Sequence, residues 1–424
     1  MTQQRELDLV LYGATGFVGK LTAEYLAGAA PDDARIALAG RSLDKLRAVR
    51  TGLGERAAEW SLIVADAGDQ PALDAMARRA TVVVTTVGPY ARYGLPLVQA
   101  CANAGTHYAD LTGEPLFIRD CIDRYHSIAA GTGAKIVNSC GFDSVPSDLN
   151  AYLLHRRVLV DDAGELAETT LVASMKGGLS GGTIDSGRAQ MEAIAKDPSL
   201  GRVVTDPYAL SPDRSREPDL GKQSDFALHR AKVIDSSLSG WVSTFIMASH
   251  NTKVVRRSNG LLGWAYGKDF RYREVMSTGT SIAAPLVAAG VAGSLAAMNT
   301  LGPKMSRGAG LKLIDRVAPK PGTGPDEVAR NSGHFTMKTF ARTISGARYL
   351  ATFAAQGDPG YQATAVLLGE SGLALAFDTD RLSGLAGVLT PATAVGEALA
   401  DRLRRAGMTI TIEAIVDEQT GAGH

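Results

Sequence analysis

The stretch Leu7-Asp8-Leu9-Val10-Leu11-Tyr12-Gly13-Ala14-Thr15-Gly16-Phe17-Val18-Gly19-Lys20 decides the fold of this chain. Its first six residues are apolar except for Asp8 and form a β-prone run, and a helical pattern begins after the last glycine. Gly13 permits a tight turn, Gly16 lets the backbone approach a phosphate, and Gly19 lets the helix pack closely on the strand. The order of strand, glycine turn and helix predicts a dinucleotide-binding unit.

The same alternation continues over the first 150 residues and predicts a parallel sheet with helices on both faces. Further strands are predicted at residues 35–39, 61–65, 81–87, 108–111 and 135–139. The predicted fold class is α/β: an N-terminal Rossmann-type doubly wound parallel sheet with a second α+β substrate domain. The predicted domains are residues 1–150 for the dinucleotide, residues 151–385 facing substrate or lipid, and residues 386–424, a closing helix and strand that pack back on the earlier domains.

The end of the second strand favours NADP(H) as the cofactor. An NAD enzyme usually places a carboxylate there, whereas this chain has Arg41 beside Ser42, and a guanidinium suits a 2′-phosphate. A solvent-facing Arg41 is the alternative. The predicted cofactor-binding residues lie in the loops after the first, second and fourth strands: Gly13, Ala14, Thr15, Gly16, Phe17, Gly19, Arg41, Ser42, Gly88, Pro89 and Tyr90.

Two polar clusters follow later strands at the same edge of the sheet and are the candidates for catalysis. Asp110, Thr112 and Glu114 form the first, and Asp143 and Ser144 begin the second. Hydride transfer needs hydrogen-bond donors for the developing charge and one acid. Helix capping is the alternative role for these residue types. The chain has no Tyr-x-x-x-Lys, which excludes the catalytic pair of short-chain dehydrogenases.

Composition narrows the function classes. The 44 basic residues equal the 44 acidic ones, so nucleic acid is not an expected partner. Three scattered cysteines offer neither a disulfide framework nor metal-ligand spacing, and no metal site is predicted. The N-terminus lacks the order of a signal peptide, and a cytoplasmic location is expected.

The apolar segment 275–303 carries no charged residue, and residues 282–298 read IAAPLVAAGVAGSLAAM. Three interpretations stay open: a membrane span, a helix that touches membrane or lines a lipid tunnel, and a buried or oligomer-interface helix.

The hydroxyl-rich loop at residues 177–183 suits either a substrate or pantetheine contact or a structural turn. Residues 197–223, rich in Pro, Asp, Arg and Ser, predict an exposed excursion.

Several of these segments resemble the saccharopine dehydrogenase-like oxidoreductases, and within them the actinobacterial trans-acting enoyl reductases. The matching segments are residues 11–17, 39–41, 87–90, 108–114 and 140–148, with residues 177–183 and 254–258 fitting the subgroup. The resemblance implies reduction of a carbon–carbon double bond in a polyketide- or lipid-linked substrate, with an acyl thioester or small molecule as substrate and a polyketide synthase or carrier protein as partner. Peripheral membrane contact and a homo-oligomer are further expectations.

Two other functions stay open beside the enoyl reductase. One is a saccharopine dehydrogenase-like imine or amino-acid oxidoreductase, which would need cationic residues to clamp several carboxylates. The other is a non-catalytic NADP(H)-binding protein associated with membrane or lipid. Fold-level analogy alone does not choose among them.

Overall fold

The computed structural model describes residues 5–177, 181–305 and 324–416, which form two seven-stranded sheets with helices around them. The strands are β1 Leu7–Tyr12, β2 Ile36–Gly40, β3 Ser61–Val64, β4 Ala80–Thr85, β5 His107–Ala109, β6 Lys135–Val137, β7 Leu166–Lys176, β8 Leu228–Arg230, β9 Trp241–Thr244, β10 Arg271–Gly279, β11 His334–Thr343, β12 Arg348–Gln356, β13 Gly387–Leu389 and β14 Thr409–Ile415. The helices, numbered in chain order, are α1 Phe17–Ala29, α2 Leu43–Gly52, α3 Gln70–Arg79, α4 Tyr90–Ala104, α5 Pro115–Thr132, α6 Val145–Val160, α7 Gly181–Lys196, α8 Leu200–Thr205, α9 Ala248–Leu261, α10 Ala284–Met305, α11 Glu327–Ser332, α12 Thr364–Phe377, α13 Pro391–Ala394 and α14 Gly396–Arg405.

The first sheet has the order β3-β2-β1-β4-β5-β6-β13, and all of its strand pairs are parallel. β1 and β4 are buried along almost their whole length, as strands covered on both faces must be. The winding reverses between β1 and β4, as in a doubly wound dinucleotide-binding fold. The predicted Rossmann-type sheet is confirmed.

The last strand of this sheet comes from the C-terminal part of the chain. β13 pairs with β6, with Val388 opposite Ile136. α12 covers β1, β4 and β5 on one face of the sheet, and its Gly372 leaves room for Val84 because an added Cβ would lie 2.5 Å from Val84 Cγ2. The chain therefore returns to the cofactor sheet before residue 386, and the domain boundaries drawn from the sequence stay a prediction.

The second sheet is mixed and has the order β14-β12-β11-β7-β10-β9-β8. Only β7 and β10 are parallel neighbours among its described strands. α6 packs on β11 and β12, and one continuous apolar core runs from β1 through α6 to β11. The two sheets are thus joined by a shared core, which fixes α9 and its preceding loop against the edge of the first sheet.

The apolar segment contains the end of β10 and most of α10. Within the described residues, no helix has the length and hydropathy that crossing a membrane requires. Ala284, Ala288 and Ala292 are buried at a spacing of four residues, and α10 lies on β9 through them. On its outer side Leu286 and Val287 are exposed, at 77% and 50%.

Candidate functional site

The glycine turn after β1 leaves the start of α1 open to a ligand. Gly16 is the N-cap residue, is exposed and makes no side-chain capping bond, while Gly13 holds a left-handed φ of 91°. A Cβ added at Gly19 would lie 2.1 Å from Gly13 O, so only glycine lets α1 pack this closely. A helix start with free N–H groups and a backbone that can be approached closely fits the diphosphate of a dinucleotide.

The loops after β1 and β4 are in direct contact at the point where the winding reverses. Thr86 N donates to Tyr12 O at 3.0 Å, and Thr86 Oγ1 donates to Gly13 O at 3.1 Å. A Cβ at Gly13 would lie 2.7 Å from Thr86 Oγ1. The structure therefore brings the predicted residues 13–19 and 88–90 to one crevice of the sheet.

Phe17, the first residue of α1, is covered from the other part of the molecule. Its ring packs edge-on against Tyr361 with centroids 5.1 Å apart, and the Arg330 guanidinium lies 5.5 Å from its centroid. Arg330 and Tyr361 therefore form a wall beside the glycine turn. The loop singled out at residues 177–183 begins near this wall, but residues 178–180 lie outside the described residues.

The ends of β1, β2 and β3 place charged groups next to each other. Burial raises the pKa of Tyr12 to about 12, with the Asp66 charge adding to the shift and the Arg41 charge opposing it. Arg41 is exposed, and Ser42 caps α2 by accepting from Lys45 N at 3.4 Å. Arg41 is thus free to meet a 2′-phosphate, while Ser42 already has a capping role.

Tyr90 points into the protein rather than into the crevice. Its hydroxyl donates to Thr85 O and accepts from Leu111 N, both at 3.1 Å, and the side chain is buried. The Gly88–Pro89 peptide before it is cis. Tyr90 therefore ties the loop after β4 to the loop after β5, and only the backbone at residues 88–89 is left to border a ligand.

Glu114 is a helix cap for a neighbouring helix. Its carboxylate accepts from Tyr90 N at 3.0 Å and Ala91 N at 2.8 Å, at the start of α4, and from Ser186 Oγ at 2.7 Å. A carboxylate at a helix N-terminus is favoured by the helix dipole. These contacts account for a buried Glu114 without a reacting substrate, and its catalytic role stays a prediction.

Asp110 is a fully buried junction between the loops after β5 and β6. Its carboxylate accepts from Thr112 N at 3.0 Å, Ser139 N at 2.8 Å, Asn138 Nδ2 at 2.8 Å and the Tyr108 hydroxyl at 2.9 Å. Burial raises the pKa of Asp110 to about 6, against the opposing effect of these four donors. Asp110 holds the two loops together, and Thr112 lies at the same junction.

Asp143 differs from the other predicted acids because it is only half-buried. A Cβ at Gly113 would lie 3.7 Å from Asp143 Oδ1 and 3.4 Å from Met247 Cε. Burial raises the pKa of Asp143 to about 7, and the Asp110 charge adds to the shift. Ser144 is buried and donates to Asn251 Oδ1 at 3.0 Å. Asp143 can therefore hold a transferable proton near neutral pH, whereas Ser144 belongs to a buried network.

His250 was missed by the sequence reasoning and lies at the base of this region. The Ser139 hydroxyl donates to Thr112 O at 2.6 Å and lies 3.0 Å from His250 Nε2, so Nε2 carries the proton. Nδ1 is then an acceptor, and it is buried without a partner among the described residues. Burial lowers the pKa of His250 to about 3, so the ring is neutral.

α9, which carries His250, is polar in sequence yet buried from residue 250 to residue 259. Lys253 Nζ donates to Ser249 O at 2.6 Å, Arg256 donates to Tyr272 O at 3.0 Å, and Arg257 donates to Leu210 O at 2.6 Å. Backbone carbonyls of distant segments thus accept hydrogen bonds from Arg256 and Arg257, whereas Lys253 donates within its own helix. No periodicity could reveal this, because the partners are supplied only by the fold.

The sheet order, the glycine cradle and the open helix start define a dinucleotide-binding oxidoreductase. Residues 9–137 match the family described as the saccharopine dehydrogenase NADP binding domain. The cofactor is NADP(H), as the residues after β2 predicted.

Relatives along nearly the whole chain identify the family. The chain is 57% identical over 408 residues to a Mycobacterium tuberculosis protein whose name, trans-acting enoyl reductase, is provisional; the match covers 96% of this chain and 97% of that protein. It is 54% identical over 411 residues to the trans-acting enoyl reductase of Mycobacterium ulcerans, covering 96% and 98% of the two chains. This chain belongs to the saccharopine dehydrogenase-like family of trans-acting enoyl reductases, and the resemblance drawn from its motifs is confirmed.

A solved structure shares the whole architecture. The apo saccharopine dehydrogenase (L-Glu forming) of Saccharomyces cerevisiae matches with a TM-score of 0.52 and 14% identity, covering 96% of this chain and 99% of that one. At 14% identity the match shows a shared fold and nothing about the reaction. Both the cofactor sheet and the second sheet therefore belong to the saccharopine dehydrogenase fold.

Proposed function

We propose that this chain reduces the carbon–carbon double bond of an enoyl thioester, with Asp143 as the proton donor. The observation that carries the proposal is the half-buried Asp143 carboxyl beside Gly113, at the carboxyl edge of the cofactor sheet. The names of the relatives, trans-acting enoyl reductase, favour this reaction over imine reduction. An enoyl reductase needs one acid for the α-carbon, and a carboxyl with a pKa of about 7 suits that task.

The cofactor residues proposed from the sequence fit the geometry of the crevice. Bound NADPH supplies the hydride that the β-carbon of the substrate receives. The residues proposed to hold the cofactor are Gly13, Ala14, Thr15, Gly16, Phe17 and Gly19 at the diphosphate, Arg41 and Ser42 at the 2′-phosphate, and Gly88 and Pro89 with the buried Tyr90 behind them at the ribose and nicotinamide.

The chain's own residues then handle the proton and exclude water. Asp143 gives its proton to the α-carbon and is reprotonated from solvent, since the residue is only partly buried. Asp110 keeps the loops after β5 and β6 in place, and the neighbouring Met247 covers the apolar side of the site. These contacts hold Asp143 near the reacting carbons while limiting solvent access.

The test is NADPH oxidation by the purified protein with a medium-chain trans-2-enoyl thioester. Reductase activity is expected to yield the saturated thioester, with the deuterium of 4-deuterated NADPH on the β-carbon by mass spectrometry. An imine formed from a keto acid and an amino acid is the matched control substrate. Turnover of the imine with none of the enoyl thioester would contradict the proposal.

We infer the partner of this reaction from the relatives' names and its location from the outer face of α10. The relatives' term trans-acting favours a separate polypeptide, a polyketide synthase or its carrier protein, as the bearer of the acyl group. Exposed Leu286 and Val287 lie in a stretch without charge, and residues 304–320 after it hold five basic residues and one acidic residue. An apolar face followed in the sequence by basic residues suits peripheral contact with an anionic lipid surface.

Vesicle flotation tests that contact. Wild-type protein is expected to float with anionic phosphatidylglycerol vesicles and not with zwitterionic ones, and Leu286→Glu should abolish flotation. Leu159→Glu changes an exposed leucine outside α10 and serves as the control. Concentration-dependent dimerisation that Leu286→Glu removes, without flotation, would assign the face to a second copy of the chain instead.

A further inference from the structure

A group of buried polar atoms without partners lies beneath the segment that precedes β8. Among the described residues, both amide atoms of Gln223, Asp225 Oδ1 and Arg256 Nε make no hydrogen bond. An unpaired buried donor or acceptor costs about 1–3 kcal/mol. Several such atoms in one place offer donors and acceptors that a polar ligand can pair with.

These atoms are close together in space. The Arg256 guanidinium lies 5.9 Å from the centroid of the Tyr208 ring, and Gln223 lies beside the Tyr208 hydroxyl. Burial raises the pKa of Asp225, and the charges of Arg256 and Lys253 oppose that shift, so both cations face this carboxyl. Gln223, Asp225, Lys253 and Arg256 are therefore one cluster, named here the α9 polar cluster.

The sequence predicts an exposed excursion at residues 197–223, and the fold places part of it inside. Tyr208 and Leu210 are buried, and Leu210 O accepts from Arg257 of α9. Gln223 and Asp225 are only half-buried as residues, while their unpartnered atoms are buried. The cluster thus opens toward the surface along this segment and points its polar atoms inward.

The other end of the cluster reaches the candidate active site. Lys253 and His250 are three residues apart on α9 and so share a face, and the Lys253 charge lowers the pKa of His250. His250 contacts Ser139 in the loop after β6, next to the residues that border the crevice. Six residues of helix, from residue 250 to residue 256, span about 9 Å. The α9 polar cluster and His250 therefore lie along one face of α9, with His250 at the end nearer the crevice.

The donors and acceptors of the α9 polar cluster indicate which kind of molecule it binds. Gln223 offers a donor and an acceptor, Arg256 and Lys253 offer donors, and Asp225 offers an acceptor. A carboxylate among the cations disfavours a bare anion, because like charges would face each other. A chain of alternating amide N–H and C=O groups matches this mixture of donors and acceptors.

We infer that the α9 polar cluster binds the pantetheine arm of a thioester substrate. The inference rests on the proposed enoyl reductase function and names how its substrate is held. The outer amide of pantetheine pairs with Gln223, Asp225 and Arg256, and the thioester end lies toward His250. His250 Nδ1, the unpartnered acceptor at that end, receives a hydrogen bond from the amide nearer the sulfur.

The kinetic test compares one enoyl group on pantetheine with the same group on N-acetylcysteamine, which lacks the outer amide. Wild type is expected to prefer the pantetheine thioester in kcat/KM. Gln223→Met removes the partner of the outer amide and should cut that preference roughly tenfold. Activity on the N-acetylcysteamine thioester should stay unchanged, and Gln356→Met, at an exposed glutamine of β12, should leave both substrates unaffected.

A binding measurement separates failure of this inference from failure of the reductase proposal. Calorimetric titration with S-butyl pantetheine, in the presence of NADPH, needs no turnover, and wild type should bind it more tightly than Gln223→Met. Such binding without enoyl turnover would keep the cluster assignment and reject the reaction. Equal binding or equal kcat/KM preference in wild type, Gln223→Met and Lys253→Met would overturn the inference, as would displacement by a dicarboxylic amino acid and not by pantetheine.

Discussion

Replacing Asp143 by Asn removes the proposed proton donor with little change in shape. With a pKa of about 7, Asp143 is about half protonated at neutral pH, and each pH unit above that cuts the protonated fraction about tenfold. The kcat/KM of the wild type should therefore decline above pH 7. A positioned acid contributes roughly 10²- to 10⁴-fold to a rate, so Asp143→Asn should lose activity by that factor and lose the pH dependence with it.

The assay is the pH profile of kcat/KM for NADPH oxidation with an enoyl thioester, and NADPH titration by fluorescence checks that the cofactor still binds. Ser144→Ala is the matched control, because the Ser144 hydroxyl donates to buried Asn251 rather than facing substrate. Its profile should keep the decline above pH 7. An Asp143→Asn variant with a wild-type rate and an unchanged alkaline decline would refute the role of Asp143.

The same carboxyl affects folding stability with a definite sign. The pKa of Asp143 in the folded state lies above its ordinary value of 3.8. At a pH between these two values, the folded protein therefore keeps a proton that the unfolded chain has released. The unfolding free energy should then fall as pH rises toward 7, by at most about 1.4 kcal/mol per unit from this group. Asp143→Asn should flatten the slope between pH 5 and pH 7 in urea unfolding.

Three further predictions follow from the cofactor crevice and its supports. Arg41→Ala should weaken NADPH binding about tenfold or more and leave NADH unchanged, because its charge meets only the 2′-phosphate; equal losses in fluorescence titration would reject that assignment. Gly19→Ala should abolish cofactor binding, since its Cβ would lie 2.1 Å from Gly13 O, whereas Gly28→Ala in the same helix has no atom within 4 Å and should bind normally. Glu114→Ala should lower the unfolding free energy by about 1–3 kcal/mol, because two N–H groups at the start of α4 lose their acceptor; urea unfolding with an effect no larger than that of Ser186→Ala would contradict the capping role.

Local patterns explain how much of the site could be predicted. The glycine turn could be predicted because its glycines are required sterically by neighbours only a few residues away in the chain. This holds above all for Gly13 and Gly19. Asp143 could be named as a catalytic candidate because acids that follow parallel strands collect at one edge of the sheet. The sequence could not show which of these acids accepts hydrogen bonds from the protein itself, since the donors to Asp110 and Glu114 come from other loops.

By itself the sequence determined the Rossmann-type sheet, the NADP(H) cofactor and the family, because each depends on local periodicity and short motifs. It also predicted a closing helix and strand within residues 386–424, where α14 and β14 lie. Only the tertiary structure decided that β13 completes the first sheet, that Glu114 caps α4, and that the polar helix α9 is buried with His250 at the crevice. The physical reason is that burial of a charged helix depends on carbonyl partners, such as Leu210 O and Tyr272 O, that lie far away in the chain and meet it only in the folded state.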